Sequence, residues 1–166
     1  MIINWLNIDT VPTSPFNQDI SAIEHLIQYQ SKYVGDNSNT GQLIGALPLS
    51  EYGFVFEIDS ENCGVTIDYR FTDWCDNENL YMERALVYNS VSVFALIENL
   101  EYITFNFNEN SYSFTREVIE KNYPNYKDIF VDNSLDTEKL RQYVEQKMND
   151  RLFVSNVFKA FETEYQ

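Results

Sequence analysis

At 166 residues, with 44% hydrophobic and 16% aromatic side chains, the chain carries enough apolar material for one self-supporting core. Its 11 Lys and Arg stand against 26 Asp and Glu, a formal net charge of -15. Such a surface repels phosphate backbones and anionic lipid, so neither nucleic-acid binding nor membrane insertion is expected; it could attract a basic protein partner, although solubility is the commoner reason for an acidic surface.

In the opening stretch, Asn4, Asn7 and Asp9 interrupt every short hydrophobic run, and no later window approaches 18 uninterrupted apolar residues. The expectation is a soluble, cytoplasmic chain. Pro12 and Pro15 make the first segment irregular. Asn17 or Asp19 then caps a helix whose Ile20, Ile23, Leu26 and Ile27 share one face, with an expected end near Gln30.

The stretch KYVGDNSNTGQLIGALPL, residues 32–49, concentrates turn and capping residues ahead of a short apolar segment. Gly35 offers a positive φ, Asn37, Ser38 and Asn39 each offer a side-chain oxygen to free N–H groups, and Asn39 with Gln42 approximates a capping box. Replacing Asp36 or Asn37 is expected to lower stability if they cap the turn or helix. A helix of about two turns is expected, stopped by Pro48. Asp36, Ser38 and Thr40 also stand at the alternate positions of a calcium loop. The glutamate such a loop needs at its twelfth position is replaced by Leu47, so the cap reading is preferred and no metal or other cofactor is expected.

YGFVFEIDSENCGVTIDYRF alternates Phe54, Phe56 and Ile58 with polar residues, then Val65, Ile67 and Tyr69, and reads as a hairpin. Cys63 and Cys75 would be about 30–40 Å apart on extended chain, too far for a disulfide, so two free thiols are expected. A central helix then runs from about Glu78 to Leu100, with Met82, Ala85, Leu86, Asn89, Val93, Phe94 and Ile97 along its stripe. Ile103, Phe105 and Phe107, followed by Tyr112 and Phe114, form a second hairpin. A helix ends ahead of Pro124, and a long helical extension over residues 134–166 is capped by Ser134 or Asp136, with a break near Asn149.

This order predicts a single α+β domain over residues 1–166. Its four-stranded antiparallel sheet, from two hairpins in a β-β-α-β-β core, is covered by the central helix and flanked by terminal helices. Chemistry-bearing residues are sparse: His25 is the only histidine, which leaves no multi-histidine metal site. No catalytic residue is assigned. The nearest enzymatic alternative is a small carboxylate-dependent hydrolase, using a pair such as Asp59 with Asp68. Tyrosines 29, 33, 52, 81, 88, 123 and 126, with Trp74, exceed what a core of this size needs, and two readings stand level: an exposed recognition surface, or caps on sheet edges and helix joints. The candidate contact residues are Tyr33, Asp36, Asn37, Tyr52 and Trp74.

Three features together, the tyrosine-valine-glycine-aspartate-asparagine run at 33–37, the glycine-led strand CGVTIDY and the helix end FALIENL at 94–100, resemble a small bacterial domain family without assigned activity. The resemblance covers residues 29–114. It implies a domain found alone, behind lipoprotein-type signals or attached to antirepressor-type membrane peptidases, with no catalytic residues to carry over. The functional expectation is a non-catalytic binding, accessory or sensor-like module that recognises a protein or an envelope-derived ligand. An acidic immunity-type protein that neutralises a basic toxin enzyme is the alternative. The residues do not set an oligomeric state.

Overall fold

The computed structural model describes residues 21–70 and 79–163. A first helix, α1 (Ser21–Ile27), is followed by a turn and by α2 (Asn37–Ala46). The Asp36 carboxylate accepts the Asn39 backbone N–H at 3.1 Å and so closes one of the free donors at the start of α2. The expected capping box does not form. Asn39 instead donates to the Tyr29 carbonyl at 2.7 Å, and Gln42 donates to Ser38 at 3.2 Å. Gly35 does not have a positive φ, so the turn does not require its freedom.

Beyond α2, Leu49 turns the chain at φ 80 and Gly53 at φ 78, on either side of a single 3-10 turn (Ser50–Tyr52). The strands β1 (Phe54–Asp59) and β2 (Gly64–Tyr69) follow as the expected hairpin, with Phe54 opposite Tyr69, Phe56 opposite Ile67 and Ile58 opposite Val65. Helix α2 runs back along β1. A Cβ on Gly41 would sit 3.0 Å from the Phe56 ring, and one on Gly45 would sit 3.8 Å from Phe54. The close approach at 41 accounts for a glycine inside a helix, where it otherwise costs up to about 1 kcal/mol.

Helix α3 (Asn79–Leu96) leads to the second hairpin, β3 (Tyr102–Asn106) and β4 (Ser111–Thr115). Among the described residues the main sheet has the order β1-β2-β3-β4. The two hairpins meet as expected, but β2 and β3 pair in parallel, Val65 beside Ile103 and Ile67 beside Phe105. The sheet is therefore mixed rather than wholly antiparallel. A strand that returns after a long helix re-enters at the end where its predecessor began, which is the crossover a parallel pair needs.

Burial on α3 is broader than one stripe, because every residue from Ala85 to Ile97 is buried. Two of its buried polar residues are bonded to main-chain carbonyls, Ser90 to Leu86 one turn back at 2.7 Å and Asn89 to Pro48 beyond α2 at 2.9 Å. The helix α4 (Arg116–Asn122) starts at Thr115, whose hydroxyl accepts the Val118 N–H. A 3-10 turn (Tyr126–Ile129) and a small hairpin, β5 (Phe130–Val131) with β6 (Ser134–Leu135), lead into the C-terminal part.

The long C-terminal helix is broken. Asp136 caps α5 (Thr137–Leu140), a π-type turn covers Arg141–Glu145, a 3-10 turn covers Gln146–Asn149, and α6 (Arg151–Thr163) follows. Asp150, with φ -91 and ψ 105, marks the break and accepts the Phe153 N–H at 3.0 Å. On the core face of β4, Phe114 packs edge-on against Phe158 and lies 5.5 Å from the Phe161 ring. Thus α2 covers β1 and α6 covers β4, with α3 enclosed between them. The caps expected at Asn17 or Asp19 and the loop with Trp74 and Cys75 lie outside the described residues.

Candidate functional site

Three chain segments meet at the end of the sheet where the first hairpin turns. The strand-like run after α1 is tied to the end of α3, Ser31 donating to the Leu96 carbonyl at 2.9 Å and accepting from Glu98 at 3.0 Å. Next, the Val34 N–H donates to Asn99 Oδ1 at 2.7 Å, while its carbonyl accepts the buried Thr40 hydroxyl at 2.8 Å. Asn99 also turns its Nδ2 toward Cys63 Sγ, 3.5 Å away, and the Cys63 carbonyl accepts the Glu101 N–H at 2.7 Å. One asparagine side chain therefore joins residues 33–37, the hairpin tip and the α3–β3 turn.

Val34 is buried with both backbone groups bonded, and its neighbour Tyr33 is 66% exposed. A large aromatic side chain is thus held outward on a braced backbone, where little chain entropy remains to be lost on contact. On the segments that meet here Asp36, Glu61, Glu98 and Glu101 are exposed, and Lys32 precedes Tyr33 as an exposed cation. At the hairpin tip, Asp59 accepts from Asn62 Nδ2 at 2.8 Å, from the Asn62 and Glu61 N–H groups, and from the Tyr102 hydroxyl at 2.9 Å. The bonds from Asn62 and then Tyr102 hold its carboxyl below the usual carboxylate range.

The sequence-derived candidates divide between the two ends of α2. Tyr33, Asp36 and Asn37 stand together at its start, with Asp36 committed to the cap and Asn37 exposed as the first helical residue. Tyr52 lies past the other end of this ten-residue helix, roughly 15 Å along its axis, half-buried against the core. Trp74 lies outside the described residues. At the Tyr52 end, the Tyr81 hydroxyl donates to Glu51 at 3.3 Å, and the buried Tyr69 hydroxyl lies near Asn89.

Among the described residues the tyrosines do not form the broad exposed surface expected. Tyr88, Tyr123 and Tyr126 are core residues, and Tyr29, Tyr52 and Tyr81 are half-buried. A core built on twelve consecutive buried positions of α3, Ala85 to Leu96, takes more aromatic volume than one helix stripe would. The calcium-loop positions are structural too: Asp36 caps α2 and Thr40 is buried on Val34. Asp59 pairs opposite Gly64 and Asp68 opposite Val55, so they stand four residues apart along the hairpin, about 13 Å. Asp68 takes its own bond from Asn106 at 2.7 Å. Cys63 is a free thiol. Asn99, which sequence reasoning quoted only as part of FALIENL, is the residue that joins the site.

A family model described as a domain of unknown function (DUF4825) matches residues 26–117. The chain belongs to this family. The DUF4825 match contains all three segments joined by Asn99, both hairpins and α3, and ends at the start of α4. The small β5–β6 hairpin and the broken C-terminal helices lie beyond it. No curated protein and no solved structure matches the chain. Among the described residues no helix is long and apolar enough to cross a membrane.

Proposed function

We propose that this chain is a non-catalytic binding module that engages a protein partner through the Tyr33 end of the domain. The observation that carries the reading is Tyr33 itself, 66% exposed beside a Val34 whose N–H and carbonyl are both held by side chains. Exposed aromatics on rigid supports dominate protein contacts because they bury large area at low entropic cost. The surrounding carboxylates favour a partner with a basic patch. The non-catalytic part is supported by an exposed His25 on the separate helix α1 and by the separation of Asp59 from Asp68. A cytoplasmic setting, supported by the Cys63 free thiol, belongs to the same proposal.

The test is site-specific photo-cross-linking in the native host, with the cross-linking residue at position 33 and, as control, at the exposed Leu152 on α6. The proposal expects one protein adduct from position 33, absent from 152, and lost on Asp36→Lys in a chain that still melts cooperatively. Equal adducts from both positions, or none from 33, contradict it. A second reading, neutralisation of a basic toxin enzyme, is favoured by the net charge of -15. It requires that the captured partner be an enzyme inhibited by the complex, with affinity falling steeply in salt.

A further inference from the structure

The core helices α2, α3 and α6 pack on one face of the main sheet, which leaves the other face with a regular grid that is polar except at Val55 and Gly64. Strand register aligns it in three rows: Asp59, Gly64, Tyr102 and Thr115; Glu57, Thr66, Thr104 and Ser113; and Val55, Asp68, Asn106 and Ser111. Neighbouring positions in a row are about 4.8 Å apart. The rows are knitted by side-chain bonds, Thr104 with Ser113 at 2.9 Å, Asn106 to Asp68 at 2.7 Å and Ser111 to Asn106 at 2.7 Å. Within these strands the face carries carboxylates but no Lys or Arg.

Tyr102 departs from the usual upright posture of a strand side chain. Its Cα is on β3, yet its hydroxyl donates to Asp59 on β1 at 2.9 Å, so the side chain must lie across the intervening strand. Gly64 on β2 makes room for it: a Cβ there would fall 2.0 Å from Cε1 and Cζ of the ring. The ring lies on Gly64 and the residue is half-buried, so part of it stays open to solvent.

We infer that this outer face binds a neutral glycan chain, with Tyr102 as the stacking platform and the Asp68–Asn106 pair as hydroxyl readers. An aromatic ring laid on a sheet offers an apolar plane that matches the C–H face of a sugar ring. Hydroxyl, amide and carboxylate groups at strand spacing supply both donors and acceptors for the sugar hydroxyls. The absence of cations within the face selects against anionic chains. Glycine at 64 is then a requirement of the platform as well as of the strand.

The experiment titrates the isotope-labelled full chain with two neutral probes, the β-1,4-linked hexamers of glucose and of N-acetylglucosamine, and follows backbone amides by NMR. At least one hexamer is expected to shift the amides of Thr66, Thr104 and Asn106 saturably. Tyr102→Ala should weaken that binding at least tenfold, Tyr102→Phe by less than threefold, and Tyr33→Ala not at all. If Tyr102→Ala does not fold, Asn106→Ala replaces it and must weaken binding at least threefold. No shift with either hexamer, unchanged binding in Tyr102→Ala, or shifts on this face from hexalysine alone would overturn the inference.

Discussion

Replacing Gly64 with alanine tests the packing of the outer face more sharply than any deletion. The new Cβ would meet Tyr102 at 2.0 Å from Cε1 and Cζ and 2.6 Å from Cδ1, against an optimum of about 3.5 Å, so the ring must retreat by roughly 1.5 Å. That movement breaks the 2.9 Å bond from Tyr102 to Asp59. Overpacking costs about 1–3 kcal/mol and the lost bond about 0.5–1.5 kcal/mol, while the stiffer unfolded chain returns about 0.4–1 kcal/mol. The expected net loss is about 1–3 kcal/mol by urea unfolding followed by circular dichroism, at unchanged slope. Since the clash is with one side chain, Gly64→Ala should cost no more than about 0.5 kcal/mol when Tyr102 is already alanine. An equal cost in both backgrounds would refute the reasoning.

Asp36→Ala should lower stability by about 0.5–2 kcal/mol, because its oxygen caps α2, whereas Asn37→Ala should cost less than about 0.5 kcal/mol; thermal melts of the pair decide this. Arg116 donates from Nε, Nη1 and Nη2 to the carbonyls of Leu100, Phe94 and Ile97 at the end of α3. Arg116→Lys should therefore lose about 1.5–3 kcal/mol in chemical denaturation, since an ammonium cannot span three acceptors. Burial raises the Glu145 carboxyl above its ordinary value in the folded chain, with Oε2 lacking a hydrogen-bond partner. The folded state then holds that proton more tightly than the unfolded one. Its stabilising contribution is complete below the unfolded pKa and is lost as pH rises through the folded value. Glu145→Gln should accordingly match wild type in acid and exceed it at neutral pH, read as Tm against pH. A Tm difference that is greatest in acid would contradict this. Gly45→Ala meets Phe54 only at ordinary contact distance, and should raise stability by up to about 0.5–1 kcal/mol in the same denaturation assay.

Local chemistry was readable where one residue settles it. The cap at Asp36, the alternation of Phe54, Phe56 and Ile58, and the chain break at Asn149–Asp150 follow from spacing and side-chain type. Properties that depend on neighbours were not readable. Alternation says which face a strand side chain occupies, but not whether β2 and β3 run together, which follows from where α3 delivers the chain. Tyrosine count does not separate Tyr33 from the buried Tyr88, Tyr123 and Tyr126. Gly64 and Tyr102 are far apart in sequence, and Asn99 reads as an ordinary turn residue until its partners Val34 and Cys63 are seen.

The most direct test of a rigid Tyr33 rim is amide hydrogen exchange at Val34, whose N–H is held by the Asn99 side chain alone. Strong protection in wild type, falling at least a hundredfold in Asn99→Ala while the amides of α3 keep theirs, is the predicted result. Free exchange at Val34 in wild type, or protection that survives the loss of Asn99, would contradict the account.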